Sequence, residues 1–109
     1  MATFGDVVLA AGGTYSSKPR PVLVFQNGQW STGESTVVIP FTSQEDSDAH
    51  YRTAVTPTTG NGLERLCWLE IDKVGAIRNS WLGRTIGHLD DETLRMCMSL
   101  VRDLMSPAG

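Results

Sequence analysis

Apolar positions along this chain come in short runs closed by turn signals, and a single helical stripe ends the pattern. Val7, Val8, Leu9 and Ala10 form the first run, which stops at the breaker Ala11, Gly12, Gly13. Residues 21–25 form the second and close on Asn27 and Gly28, a strong turn dipeptide. Residues 36–39 form the third and end at Pro40, which has no N–H to give to a ladder. From Tyr51 to Thr56 large and small side chains alternate with period two, as on a half-buried strand. Residues 58–62 read as a loop. Residues 66–71 and 74–77 predict two further strands, separated by the charged pair Asp72 and Lys73. Residues 83–89 predict a last one, with Gly83 and Gly87 marking a bend or a close backbone approach.

The period then changes. Asp90 stands where an N-cap belongs, and Asp91 and Glu92 put negative charge in the first turn, where the helix dipole favours it. Leu94, Cys97, Met98, Val101, Leu104 and Met105 follow at helical spacing and make one apolar stripe. Arg102 suits the negative pole, and Ser106 and Pro107 stop the helix. Strands followed by a terminal helix predict an α+β fold, mainly β. Short strands in this number predict a curled sheet or small barrel with the helix packed against it.

Composition narrows the class. A chain of 109 residues without repeats or a linker is expected to be one domain, residues 1–109. No apolar run approaches the roughly 18 residues of a membrane span, and no basic-then-apolar leader opens the chain. A cytoplasmic protein with no membrane contact is therefore expected. Cys67 and Cys97 sit among apolar neighbours and read as buried free thiols in a reducing compartment. With His50 and His88 far apart, neither zinc nor any other metal or cofactor is expected. Nine basic and twelve acidic residues give a net charge of -3, which argues against a surface that attracts nucleic acid everywhere. A local basic groove stays open.

Few polar residues stand out. Lys18, Pro19, Arg20 and Pro21 place two cations in a proline-stiffened segment. The residue before a proline is held extended, so Arg20 starts from a fixed backbone, which helps a guanidinium grip a phosphate bidentately. A solvated edge-strand arginine is the plainer alternative. Thr42 and Ser43 follow a strand end, where hydroxyls either orient a ligand or cap a turn. Trp30, Trp68 and Trp81 offer stacking surfaces, although Trp68 between Cys67 and Leu69 reads as core. The acidic run from Glu45 to Asp48 reads as a solvated loop.

Taken in order, the segments resemble the framework of the MazF/PemK toxins. They are Gly5 to Leu9, Lys18 to Val24, Ile39 to Ser43, Asn61 to Leu63, Ile71 to Val74, Leu82 to Leu89, and Asp90 to Leu94 at the helix start. The resemblance spans about Phe4 to Leu104. It implies an SH3-like small barrel of the CcdB/MazF type with a C-terminal helix, acting as a homodimer. It also implies a toxin of a type II toxin–antitoxin pair that cuts single-stranded RNA at short specific sequences without a metal. The RNA's own 2'-hydroxyl attacks, leaving a 2',3'-cyclic phosphate and a 5'-hydroxyl. A cognate MazE-like antitoxin is implied, its C-terminal tail occupying the cleft.

Residue by residue, the family's catalytic arginine maps onto Arg20 and its catalytic threonine onto Thr42. Lys18, Ser43 and Lys73 fall where contacts to RNA are expected. Some members carry an arginine two residues before the aspartate of the fifth-strand motif, where this chain has Glu70. Asp72 matches an acidic residue that serves as general base in some relatives, and Glu70 is a second candidate; for both, a plain ion pair with a nearby Arg or Lys is the alternative. Two other classes share the fold: a CcdB-like gyrase-inhibiting toxin and a catalytically inactive protein-binding barrel. The first should carry a Trp near its terminus, whereas the last Trp here is Trp81, ahead of the helix. The second has no need of Arg20 and Thr42.

Overall fold

The computed structural model describes residues 2–30, 33–45 and 51–107. Seven strands precede one helix: β1 (Asp6–Gly12), β2 (Ser16–Val24), β3 (Ser35–Thr42), β4 (Arg52–Val55), β5 (Cys67–Glu70), β6 (Gly75–Arg78), β7 (Leu82–His88) and α1 (Asp91–Met105). Each apolar run read from the sequence becomes one of these strands, and Asp72 and Lys73 lie in a 3-10 turn between β5 and β6. All pairings are antiparallel along the path β4-β5-β3-β2-β1-β7, with β6 added to β3. No ladder joins β4 to β7 among the described residues, so the curled sheet does not close by hydrogen bonding.

Two strands run further than their hydrophobicity suggests. β3 passes through Pro40 to Thr42, because its partner changes there: residues 35–38 pair with β6 and residues 41–42 with β5. Pro40 sits in the gap between those ladders, where a missing N–H is tolerated. β2 begins at Ser16, ahead of the apolar run, since its exposed first half pairs with β1 through Gly12↔Ser16 and Ala10↔Arg20. Pairing, not burial, makes that half a strand.

Alternation along the central strands feeds two apolar clusters. Val7, Leu23, Ile39, Phe41, Leu69 and Ile71 face one, which Leu94 and Cys97 of α1 complete. Val8, Ala10, Val22, Val24 and Val38 face the other, with Tyr15, Ile77 and Leu82 packed against it. Burial of each large side chain contributes about 1.5–3 kcal/mol, and the seam β1-β2-β3, which feeds both clusters, is held from both faces.

Asp90 caps α1 as expected: its carboxylate accepts from the Thr93 N–H at 3.2 Å and from the Thr93 hydroxyl at 2.6 Å. The helical stripe divides. Leu94 and Cys97 are buried and Val101 packs on the core, whereas Met98 and Met105, at the stripe's edge, are exposed. Both cysteines are free and buried, and burial pushes the Cys97 thiol up to about 11. Trp68 is half-buried, not core, because its β5 position lies on the face shared with Thr42, its cross-strand partner.

Candidate active site

The β2–β3 ladder runs Val24↔Val38, Leu23↔Ile39, Val22↔Pro40 and stops. Pro19, Pro21 and Pro40 have no N–H, so the seam loses its bonds where they cluster. Both strands continue past the last pair, and two residues further in that register stand Arg20 and Thr42. Side chains two apart share a face, so both residues continue the face of Val22 and Pro40 beyond the last bonded pair.

A cleft of about 440 Å³ lies here. Its lining includes Pro19, Arg20 and Pro21 of β2 with Phe41, Thr42 and Ser43 at the end of β3. Glu64 and Arg65 come from the loop before β5, and Arg84 from β7. Among the described residues the lining thus holds three arginines and one carboxylate, which makes the cleft cationic in a chain of net charge -3.

Arg20 and Thr42 are held from behind. Arg20 Nε donates to Ser16 Oγ at 3.2 Å. That hydroxyl in turn donates to the Lys18 carbonyl at 2.7 Å and accepts from the Lys18 N–H at 3.3 Å. Among the described residues the terminal nitrogens of Arg20 have no partner, the geometry suited to a bidentate oxyanion. Thr42 Oγ1 accepts from the Gln44 N–H at 3.2 Å, which leaves its O–H to donate outward.

The loop bearing Glu64 and Arg65 is pinned by Asn61, which is only 4% exposed. Asn61 Oδ1 accepts from the N–H groups of Thr58 and Leu63, both at 3.0 Å, and Nδ2 donates to the Thr56 carbonyl at 2.9 Å. Gly62 has φ +71° and lies so close to the Ile86 carbonyl that a Cβ would fall 2.1 Å from its oxygen. Gly87 presses as closely on Asn61, the backbone approach its sequence predicts. Leu63 is buried in the core. The backbone that carries Glu64 and Arg65 is thus fixed before any ligand arrives.

The structure brings Arg20, Thr42 and Ser43 together and sets the other expected residues apart. Arg52 Nη2 meets Glu70 at 3.1 Å, Arg52 Nε meets Asp72 at 3.4 Å, and Lys73 Nζ meets Glu70 at 3.1 Å. This quartet, with Glu70 nearly buried, is the ion pairing that the sequence offers as an alternative role for Glu70 and Asp72; none of its members lines the cleft. Lys18 is exposed two residues from Arg20, also outside the lining. Sequence reasoning misses Ser16, Glu64, Arg65 and Arg84, which carry no local signal and meet only through topology.

Elsewhere, Trp81 stacks on Tyr15 with ring centroids 6.2 Å apart, and the Arg78 guanidinium lies 6.0 Å from the Trp81 ring. Trp30 is 73% exposed. His88 pairs with Asp6 at 3.0 Å, while His50 and residues 46–48 of the acidic run lie outside the described residues. No group of three or more His, Cys, Asp or Glu able to hold a metal occurs among the described residues. No helix among them is long and apolar enough to cross a membrane.

Residues 3–105 match the family model of the PemK-like, MazF-like toxins of type II toxin–antitoxin systems. A relative described as a probable endoribonuclease MazF, from Mycolicibacterium smegmatis, is 37% identical over 86 residues, 78% of this chain and 79% of its own. Among solved structures, an endoribonuclease in complex with its cognate antitoxin from a mycobacterial species superposes with a TM-score of 0.79 at 14% identity, covering 100% of this chain and 99% of that one. A MazE–MazF complex from Deinococcus radiodurans gives 0.77 at 13% identity, covering 96% and 95%. At such identities the superpositions speak for a MazF-like fold, and the sequence matches speak for descent. The chain belongs to the PemK-like, MazF-like toxins of type II toxin–antitoxin systems and is a homologue of a probable endoribonuclease MazF.

Proposed function

We propose that this protein, acting as a single toxin domain over residues 1–109, cuts single-stranded RNA at short specific sequences in the cytoplasm. The observation that carries the reading is the meeting of Arg20 and Thr42 in one register, at a cleft lined by two more arginines. RNA's 2'-oxygen attacks the adjacent phosphorus in line. The bond to the 5'-oxygen breaks, and the products are a 2',3'-cyclic phosphate and a 5'-hydroxyl.

Negative charge builds on the phosphorane oxygens as the attack proceeds. Arg20, already oriented by Ser16, meets that charge with two free donors and stabilises the transition state more than the ground state. A guanidinium does not release its proton at neutral pH, so Arg20 works by charge and not as an acid. Thr42 donates to a non-bridging oxygen and fixes the phosphate. Arg65 and Arg84 hold neighbouring phosphates, and the three guanidinium groups supply the positive charge that other nucleases take from a metal. Ser43, in the same lining, contacts the RNA beside the reacting step, whereas Lys18 and Lys73 stand outside that lining and Lys73 is paired with Glu70.

Two solved relatives carry an antitoxin, which supports a MazE-like partner for this chain. An acidic, apolar tail of that partner would fill the cationic cleft and compete with RNA. A homodimer completes the groove, since one small sheet offers only a shallow site. The test is incubation with single-stranded RNA in EDTA. Wild type cleaves, and Arg20→Ala does not while keeping its circular dichroism spectrum. Intact RNA after incubation with well-folded wild type, over many sequences, contradicts the proposal.

A further inference from the structure

In-line attack needs a group to take the 2'-hydroxyl proton, and the carboxylates that the family resemblance nominates stand elsewhere. Glu70 is bound by both Arg52 and Lys73, and Asp72 by Arg52. A carboxylate paired in this way must break an ion pair to accept a proton. Among the described residues one carboxylate lines the cleft that holds Arg20 and Thr42, and it is Glu64. Glu64 is exposed and has no ion-pair or hydrogen-bond partner among the described residues.

Its backbone is as fixed as its side chain is free. Asn61 ties the loop at three points just before it, Gly62 locks against β7, and Leu63 is sunk in the core. That support fixes the point on the cleft wall from which the Glu64 side chain reaches.

We propose that Glu64 is the general base of the cleavage, a role that rests on the ribonuclease reading above. Glu64 takes the proton from the 2'-hydroxyl as the oxygen–phosphorus bond forms. The electron pair of the breaking bond leaves on the 5'-oxygen, which takes a proton from solvent water. Arg65 and Arg84 line the same cleft, and their positive charge offsets the repulsion between the carboxylate and the phosphate.

The experiment is the pH dependence of kcat/KM for cleavage of a single-stranded RNA oligonucleotide by wild type, Glu64→Gln and Glu64→Asp. General-base loss typically costs about 10²–10⁴-fold, so Glu64→Gln should fall by at least about 10²-fold and lose the acid limb of the profile. Glu64→Asp should keep that limb at reduced rate. Cleavage by Glu64→Gln at the wild-type rate or faster overturns the proposal, because the residue then only sets the cleft's charge. A slower Glu64→Gln that retains the wild-type acid limb also overturns it, since the proton is then going elsewhere. If wild type leaves RNA intact, the ribonuclease reading itself fails, and this role fails with it.

Discussion

Arg20 reaches the cleft from an exposed stretch of β2, and what distinguishes it from any surface arginine is the Ser16 hydroxyl holding its Nε. Ser16→Ala frees the guanidinium to rotate without removing its charge. The expected result is a loss of about tenfold in kcat with a smaller change in KM, the size of a hydrogen bond to a charged group. Arg20→Lys should not restore cleavage, because an ammonium cannot offer two parallel donors to one phosphate. Arg20 and Thr42 enter from the sequence through the resemblance to the MazF/PemK framework, since their prolines and strand end alone favour a solvated arginine and a turn-capping hydroxyl. Glu64, Arg65 and Arg84 are not legible there: they lie 22 to 64 residues from Thr42 and Arg20 along the chain, and only the path β2-β3-β5 with β7 folded back makes them neighbours.

Among the elements, the loop before β5 carries the sharpest structural demand. Gly62→Ala would force a side chain into a positive-φ position and against the Ile86 carbonyl. The strain and the clash together should destabilise the fold by about 3 kcal/mol, read as a lower urea midpoint. Asp90→Ala removes the α1 cap and should cost about 1 kcal/mol. The Thr93 hydroxyl and N–H hold the Asp90 carboxyl below the usual carboxylate range. Its folded pKa is thus lower than its unfolded one, so the cap contributes fully above the unfolded value and is lost as pH falls through the folded value. Urea midpoints of wild type and Asp90→Ala should therefore converge in acid. Strands and helix are readable from the sequence because burial imposes period two and the helical spacing. The continuation of β3 through Pro40 and of β2 back to Ser16 is not, since both depend on which partner strand lies alongside.

For the whole molecule, charge sets the terms of binding. A net charge of -3 with three arginines gathered at one cleft confines attraction for RNA to that site. Contacts from those three to phosphates predict a slope of about -2 for log affinity against log salt, since single strands give about -0.7 per contact. A much steeper slope would mean that the binding surface extends well beyond the cleft. The chemistry performed there is read from the ends of RNA cut by the purified protein in EDTA. The expected result is cleavage at short specific sequences with 2',3'-cyclic phosphate and 5'-hydroxyl ends. Fragments bearing 5'-phosphate and 3'-hydroxyl ends, or cleavage that appears only when a divalent metal is restored, would contradict it.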